Sequence, residues 1–391
     1  MGSRHIADAP LVSAIVPAYN AERYIGHTLQ SLVAQSYPHL EIIVVDDGST
    51  DRTRAIVEAM AEKYSQIRMI RQLNQGVAAA RNRGIADARG EFIAPIDADD
   101  IWFPDAMQKL VHCLHNADPC IGVAYGWSVT LDENSLLDGG LRCSRIAGDV
   151  LGTLICHNFL GNASATVIRR QYLEKVVGYD PRFRTESAQG CEDWDLYVRL
   201  AEYCRFAVVP EFLFGYRRPR SSMSSNSHAM ANSHEYLLEK VKRHHPRIPQ
   251  AFYQLSTSSY YLHLAYECDC YHNPNDSLYW LQQAMMKGPI FTFLRPGFYW
   301  LMFKNLAAKA GLSSRNFGGR SVRSATQTKA VTTSRQRIEV ADVKRKKIRI
   351  FVKVAVQEVL HRVVRWLPLS KNDRTEELDK ESGEPGKIRG Q

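Results

Sequence analysis

The first hundred residues alternate strand-like runs with helix-period segments, and this alternation limits the fold more than any other feature of the chain. VSAIVP (12–17) is a short apolar, β-branched run of the kind a buried strand uses. Residues 21–36 follow with Ile25, Leu29, Leu32 and Val33 on one helical stripe. LEIIVVDD (40–47) predicts a second strand, after which Ser49 or Asp51 is placed to cap a helix carrying Ile56, Val57 and Met60. IRMIRQ (67–72) predicts a third strand, GVAAARNRGIADARG (76–90) an Ala-rich helix closed by Gly90, and EFIAPID a fourth strand. A β-α-β-α-β-α-β order of this kind argues for a parallel sheet covered by helices on both faces.

In such sheets ligands sit beyond the carboxyl ends of the strands. Three segments fall there: PAYN (17–20), DDGST (46–50) and DADD (97–100), all polar and two rich in Asp. They are expected to converge on one crevice. A dinucleotide site would place G-x-G-x-x-G in the first strand-to-helix turn, but that turn reads PAYNAERY and has no glycine before Gly26. GxxxxGK[ST] is absent too, so neither an NAD site nor a P-loop is expected.

Beyond residue 100 the pattern loosens. Strand-like pieces lie at 122–131, 164–170 and 206–218, with a helix around 192–203. Residues 229–311 read as helices rich in Tyr, Leu and Ala, broken at NPND (273–276) and near Pro289 and Pro296. The expected organisation is therefore a leader at 1–10, an α/β domain at 11–228 and a helical extension at 229–311. A basic linker (312–347), an amphipathic helix (348–367) and a polar tail (368–391) complete it. The α/β domain divides at residue 100 into 11–100 and 101–228.

The charge is uneven. The chain carries a net +9, yet residues 312–370 hold fourteen Lys or Arg against three acidic residues, so the remainder is slightly acidic. A basic stretch of this kind suits an anionic surface, although a solvated tail has the same composition. The eight cysteines show no CxxC pair or metal-ligand spacing, and MGSRHIADAP is polar and is expected to be disordered. Reduced thiols and a cytoplasmic location are the expectation. No apolar stretch approaches the ~20 residues that span a bilayer.

Two aspartates separated by one residue suit a divalent cation that is also held by a diphosphate, because Mg²⁺ or Mn²⁺ takes one or two carboxylates plus phosphate oxygens. The strand ending at Ile96 delivers Asp97 and Asp99 in that arrangement, and a metal would neutralise clustered carboxylates that otherwise repel. Acidic turns are common, so the position at the end of a fourth parallel strand carries the weight. In DDGS (46–49), Asp47 can accept from a base edge or from sugar hydroxyls, or it can cap the next helix. The helix that opens with Glu192 and Asp193 has two readings as well. Carboxylates in a first turn are stabilised by the helix dipole, and a carboxylate near an acceptor hydroxyl can act as a general base.

The runs VSAIVPAYNAERYIGHTLQSLVAQSYPHLEIIVVDDGSTDRT, NQGVAAARNRGIADARGEFIAPIDADD and GCEDWDLYVRLAEYC (190–204) resemble the family 2 inverting glycosyltransferases of the GT-A fold, over roughly residues 11–225. The resemblance implies a Rossmann-like, mostly parallel sheet and a nucleotide-diphospho-sugar donor, with 11–100 as the nucleotide-sugar half and 101–228 as the acceptor half. It implies that Pro17, Ala18 and Tyr19 line a nucleobase pocket with Glu22 close by, and that Asp47 pairs with the base edge. It further implies that Arg81 places the nucleotide, that Asp97 lies near the ribose and that Asp99 holds Mn²⁺ or Mg²⁺ on the diphosphate. Asp193 is then the general base, with Glu192 beside it. Asn162 and Ser164, in HNFLGNASATVIRR, fall on the acceptor side. GYRRPRSSMS (215–224) carries Arg217, Arg218 and Arg220, read either as a loop that grips phosphates and closes over the donor or as an exposed basic turn.

The Q-x-x-R-W motif of processive synthases is missing, which favours transfer of single sugars in surface polysaccharide or lipid-linked glycan synthesis. A glycan or lipid-linked acceptor is expected, and nucleic acid is not. A sugar nucleotidyltransferase would need a Gly- and Arg-rich loop after the first strand, where PAYNAERY stands. A non-catalytic protein docking to membrane through its basic tail has the intact DADD and Glu192-Asp193 against it. Peripheral membrane contact is suggested by the basic 348–367 stretch and by PIFTFLRPGFYWLMF (289–303), either of which is equally a packed core helix.

Overall fold

The computed structural model describes residues 9–219, 225–310 and 354–362. Most of the leader, Arg220, the 312–347 linker, the 368–391 tail and the two ends of the 348–367 segment lie outside the described residues.

The nucleotide half folds as the alternation predicts. Strands β1 (Val12–Ala18), β2 (Leu40–Asp46), β3 (Ile67–Arg71) and β4 (Phe92–Pro95) are joined by helices α1 (Ile25–Val33), α2 (Thr53–Lys63) and α3 (Val77–Asp87). The order β3-β2-β1-β4 is parallel throughout, with Val12 opposite Leu40 and Phe92. β1 and β2 are buried along their whole length and are mostly apolar, and their one polar pair, Ser13 and Glu41, is hydrogen-bonded at 2.6 Å across the two strands, with Asp46 closing β2. Successive side chains still divide between two layers. Val12, Ala14 and Val16 pack with α1, while Ile15, Ile43 and Val45 pack with Ala78 and Ala80 of α3. α3 ends at Asp87, and Gly90 lies beyond it, where a Cβ would meet the backbone nitrogen and hydroxyl of Ser13 at 2.6 Å.

The acceptor half turns the sheet into a mixed one. β5 (Ile101–Trp102) leads into α4 (Ala106–His115), β6 (Ile121–Leu131) and β7 (Leu137–Arg142). After α5 (Leu151–Cys156) come β8 (Thr166–Arg169), α6 (Arg170–Lys175), α7 (Arg182–Thr185), α8 (Glu192–Tyr203) and β9 (Arg205–Arg217). β8 inserts antiparallel between β4 and β6, β9 runs parallel to β6, and β5 closes the edge antiparallel to β9.

The extension consists of α9 (Ser227–His244), α10 (Gln250–Cys270), α11 (Pro274–Lys287), α12 (Pro289–Phe293) and α13 (Pro296–Lys309). Three of these helices open with proline, whose fixed φ and missing N–H suit a first helical position. Leu237, Leu238 and Val241 of α9, with Phe252 and Tyr253 of α10, share one core with α5 and α8. A separate core forms farther out, from Tyr261, Leu264, Trp280, Leu281, Phe298 and Leu301. Residues 354–362 are helical and lie against the acceptor half. Val354 packs with Trp127, and His361 Nδ1 is 2.7 Å from the Thr153 hydroxyl. This part of the expected amphipathic helix thus buries one side on its own domain, while Val356 and Val359 stay exposed.

Candidate active site

The loops after β1 and β2 are stitched together. Asn20 takes a left-handed φ of 49°, which Asn tolerates better than most residues, and its side-chain oxygen accepts from the Thr50 amide at 2.8 Å. The Asn20 and Ala21 amides donate to the hydroxyls of Ser49 at 3.0 Å and Thr53 at 2.7 Å. Pro17 and Ala18 are buried at the end of β1, whereas Tyr19 projects into solvent. Glu22 is exposed and accepts from the Arg52 amide at 3.0 Å. Neither Ser49 nor Asp51 is the N-terminal cap of α2, although Asp51 accepts from the Thr53 amide at 2.9 Å. Asp47 is buried and holds the 72–76 loop. Its carboxylate accepts from Gln72 Nε2 at 2.7 Å and from the amides of Gln75 and Gly76, both at 2.8 Å.

The DADD turn is braced from three sides. The Asp100 amide donates to the Asp97 carbonyl at 3.0 Å, closing the turn. Asp100 is buried. One carboxylate oxygen accepts from the Arg217 amide at 2.8 Å and the other from the Ser164 hydroxyl at 2.5 Å. The same Ser164 oxygen accepts from the Asp97 amide at 3.0 Å, so this predicted acceptor-side residue fixes the turn instead. Thr28 Oγ1 lies 2.8 Å from the carbonyls of both Ala98 and Asp100. With this bracing, Asp97 and Asp99 stay partly exposed while Ala98 and Asp100 are buried. Burial, and then the neighbouring Asp97, push the Asp99 carboxyl up to about 7. Among the described residues no ion pair engages that carboxylate.

Asp193 sits in the first turn of α8, with Oδ1 accepting from the Trp194 amide at 2.7 Å. Burial raises its carboxyl to about 7, against the pull of Arg81 and with the added push of Glu192 and Asp97. These named groups lie within electrostatic reach of one another. Arg81 is buried on α3, and its Nη2 donates to Asp97 Oδ1 at 2.5 Å. The guanidinium lies over the ring of Tyr179 at 5.0 Å from the centroid. Asn82, the next residue, fixes Tyr179 by donating to its carbonyl at 2.7 Å and accepting from its amide at 2.8 Å. Gly178 is required at that join, because it adopts φ +65° and a Cβ there would lie 2.5 Å from the Asn82 oxygen. Several buried polar atoms of the cluster have no partner among the described residues: Arg81 Nε, the Tyr179 hydroxyl, Glu192 Oε1 and both amide atoms of Asn162.

The predicted basic loop divides. Arg217 is the last residue of β9 and is buried. Its Nε donates to the Asp99 carbonyl at 2.7 Å, its Nη1 to the Ser135 hydroxyl at 2.7 Å, and its guanidinium stacks 4.6 Å from the centre of the Tyr24 ring. Arg218 turns the other way and pairs with Glu267 of α10. The two arginines thus engage different partners, Arg217 the Asp99 carbonyl and Arg218 the Glu267 carboxylate. Arg220 lies outside the described residues. Tyr24 and Tyr179 were not singled out from the sequence. Tyr24 stands within PAYNAERY and was open to notice, but Tyr179 is brought in only by the long-range Asn82 contact.

The donor set fits a divalent cation shared with a substrate. Asp99 offers one carboxylate, and among the described residues no group of three or more His, Cys, Asp or Glu forms a ready-made cage. Mg²⁺-type sites commonly complete their shell with phosphate oxygens and water.

The family described as "Glycosyl transferase family 2" matches residues 13–176. The putative teichuronic acid biosynthesis glycosyltransferase TuaG of Bacillus subtilis is 30% identical over 239 residues, covering 60% of this chain and 90% of TuaG. An uncharacterized glycosyltransferase of Nostoc sp. is 34% identical over 187 residues, 46% of this chain and 57% of that protein. The chondroitin synthase of Escherichia coli is 30% identical over 209 residues, 52% of this chain and 28% of the synthase, so the chain spans less than two thirds of either of these two. Among solved structures, the mannosyltransferase PcManGT of Pyrobaculum calidifontis, in complex with GDP-Man and Mn²⁺, aligns with a TM-score of 0.49 at 22% identity, covering 77% of this chain and 86% of that one. No helix among the described residues is long and apolar enough to cross a membrane. Matched to TuaG at 30% identity along 90% of that relative, and to the family pattern from β1 through α6, the chain belongs to glycosyltransferase family 2.

Proposed function

We propose that this protein is an inverting, divalent-metal-dependent transferase that moves a single sugar from a nucleotide-diphospho-sugar to an acceptor hydroxyl. The observation that carries the reading is the meeting of Asp97, Arg81 and Asp193 at the carboxyl ends of the parallel strands, with Asp193 held near neutrality. A general base is most useful when its pKa lies near the working pH. In this reading Asp193 takes the proton of the acceptor hydroxyl as that oxygen attacks the anomeric carbon. Asp97, held by Arg81, orients the ribose, and Pro17, Ala18, Tyr19 and Asp47 border the base. Asp99 holds Mn²⁺ or Mg²⁺, which when bound offsets the charge of the leaving diphosphate. Arg217 keeps the Asp99 main chain fixed through its carbonyl. A single displacement inverts the anomeric centre.

TuaG is named for teichuronic acid biosynthesis and other relatives are synthases of chondroitin and hyaluronan, which supports surface polysaccharide or lipid-linked glycan as the product class. The protein then works at a lipid surface, attracted by its basic C-terminal region. The test is a thermal-shift screen of nucleotide-sugars with and without Mn²⁺, followed by NMR of the product anomer. A stabilising donor whose effect vanishes in Asp99→Ala, and a product of inverted configuration, are expected. A retained configuration, or a donor shift indifferent to both metal and Asp99, overturns the reading.

A further inference from the structure

α13 turns only part of its surface inward. Phe298, Leu301 and Ala307 are buried, the first two with Trp280 and Leu281 of α11. Tyr299, Trp300, Phe303 and Leu306 stand 50% to 53% exposed. Positions 299, 303 and 306 follow the i, i+4, i+7 spacing of one helix face. The face continues onto α12, where Phe293 and Leu294 are 48% and 75% exposed and the Tyr299 hydroxyl donates to the Phe293 carbonyl at 3.0 Å. Exposed aromatic and aliphatic side chains gathered on one face mark an interaction surface.

The charge around it indicates the partner. From residue 277 to residue 310 the chain has no Asp or Glu and has four Lys or Arg, of which Lys287 reaches Glu235 at 3.9 Å and Lys304 pairs with Asp269 at 2.6 Å. Lys287 closes α11, Arg295 stands between α12 and α13, and Lys309 closes α13. Trp and Tyr beside Leu and Phe, flanked by cations, match the boundary between lipid headgroups and acyl chains. Two copies meeting at this face would bring their basic flanks together, which like-charge repulsion opposes.

We propose that the α12–α13 face docks on an anionic lipid bilayer and lies within the headgroup layer. Of the two segments whose sequence suggested surface contact, 289–303 and 348–367, this assigns it to the first, and it rests on the reading that the protein works at a lipid surface. Lys and Arg near an anionic leaflet supply the attraction, while the aromatic face, inserted among the headgroups, fixes the orientation.

The test is vesicle flotation of the full chain, with vesicles of phosphatidylcholine alone and of phosphatidylcholine with phosphatidylglycerol in equal parts. The wild-type chain is expected to float with the anionic vesicles only, and less at high salt. Leu294→Ser with Trp300→Ser should lower the floated fraction about tenfold, with each single change giving a smaller loss in the same direction. Circular dichroism and melting of these exposed-site variants should be unchanged. Equal flotation of wild type and double variant overturns the assignment of this face while leaving lipid binding to the basic 312–370 stretch. A wild-type chain that stays with no vesicle overturns both readings. A wild-type dimer that the double variant dissolves, seen by light scattering, assigns the face to a second copy and overturns lipid docking.

Discussion

Arg81 reaches from α3 to the end of β4, where its Nη2 donates to the Asp97 carboxylate at 2.5 Å, and the same cation lowers the pKa of Asp193 on α8 against the rise that burial imposes. One buried guanidinium therefore faces the donor turn and the proposed base together. Arg81→Met should raise the Asp193 pKa further above 7, because burial and Glu192 then act without their counterweight. The acidic limb of the kcat–pH profile should move alkaline by about one unit or more. Arg81→Lys, which keeps the charge, should leave that limb nearer the wild-type position. A limb that does not move in Arg81→Met would show that Arg81 does not act on Asp193.

Asp193→Asn removes the group proposed to take the acceptor proton while leaving the Arg81–Asp97 pair in place. Transfer is expected to fall by about 10³-fold, the typical worth of a positioned general base. Donor affinity, read by thermal shift, should stay within about twofold, since in the proposed role Asp193 touches the acceptor only. In the wild type, kcat should rise through about pH 7 as Asp193 loses its proton. A variant that transfers at the wild-type rate, or a wild-type rate flat from pH 5 to about 9 where Asp193 should ionise, would remove Asp193 from this role.

Asp99 makes metal binding compete with a proton. Its carboxyl stands near 7 in the fold against an ordinary 3.8, so between those values the folded chain binds more protons there than the unfolded chain does. The sign follows from linkage. Asp99 withdraws stability from the metal-free protein as pH rises from about 4 to about 7. Asp99→Asn should therefore melt progressively higher than the wild type across that window, without metal. Adding Mn²⁺ and a nucleoside diphosphate should reverse the order, because only the wild type gains by binding. The wild-type affinity for the metal–nucleotide pair should tighten with pH and level off above about 8. A pH-independent difference between the two proteins would count against a raised Asp99.

Local patterns explain why some of this was legible. The run EDWDLYVRLAEY carries its own helical period and an acidic first turn, and α8 spans those residues from Glu192 to Tyr203. Pro274, Pro289 and Pro296 each open a helix for a reason written in the residue itself. What stayed hidden depends on distant pairing. β8 enters the sheet antiparallel beside β4, with Ile93 opposite Ile168, and no local signal sets that register. The same insertion brings Ser164 under the DADD turn, so a serine assigned to the acceptor side becomes a brace for Asp97 and Asp100. Arg217 and Arg218 looked equivalent in GYRRPRSS because the sequence does not show where β9 ends.

Lys240 ties the extension to the proposed catalytic helix. From α9 its Nζ donates to Asp180 Oδ2 at 2.6 Å and to Asp195 Oδ1 at 2.5 Å, and all three side chains are buried. Burial would raise Asp180, but hydrogen bonds from Arg182 and then Lys240 outweigh it and hold the carboxyl well below the usual range. Asp195 lies two residues beyond Asp193 in the first turn of α8, so this contact also fixes the start of that helix. Lys240→Met should cost about 3–5 kcal/mol in urea unfolding at neutral pH, because it strands two buried carboxylates beside fewer cations. A depressed carboxyl contributes stability above its unfolded pKa and loses it in acid. The gap between wild type and variant should therefore narrow as pH falls below about 4. Combining Lys240→Met with Asp180→Asn should cost less than the sum of the two single changes, since the partners share one interaction. Additive losses, or a single-variant cost under about 1 kcal/mol, would show that α9 is held to the domain by its apolar face alone.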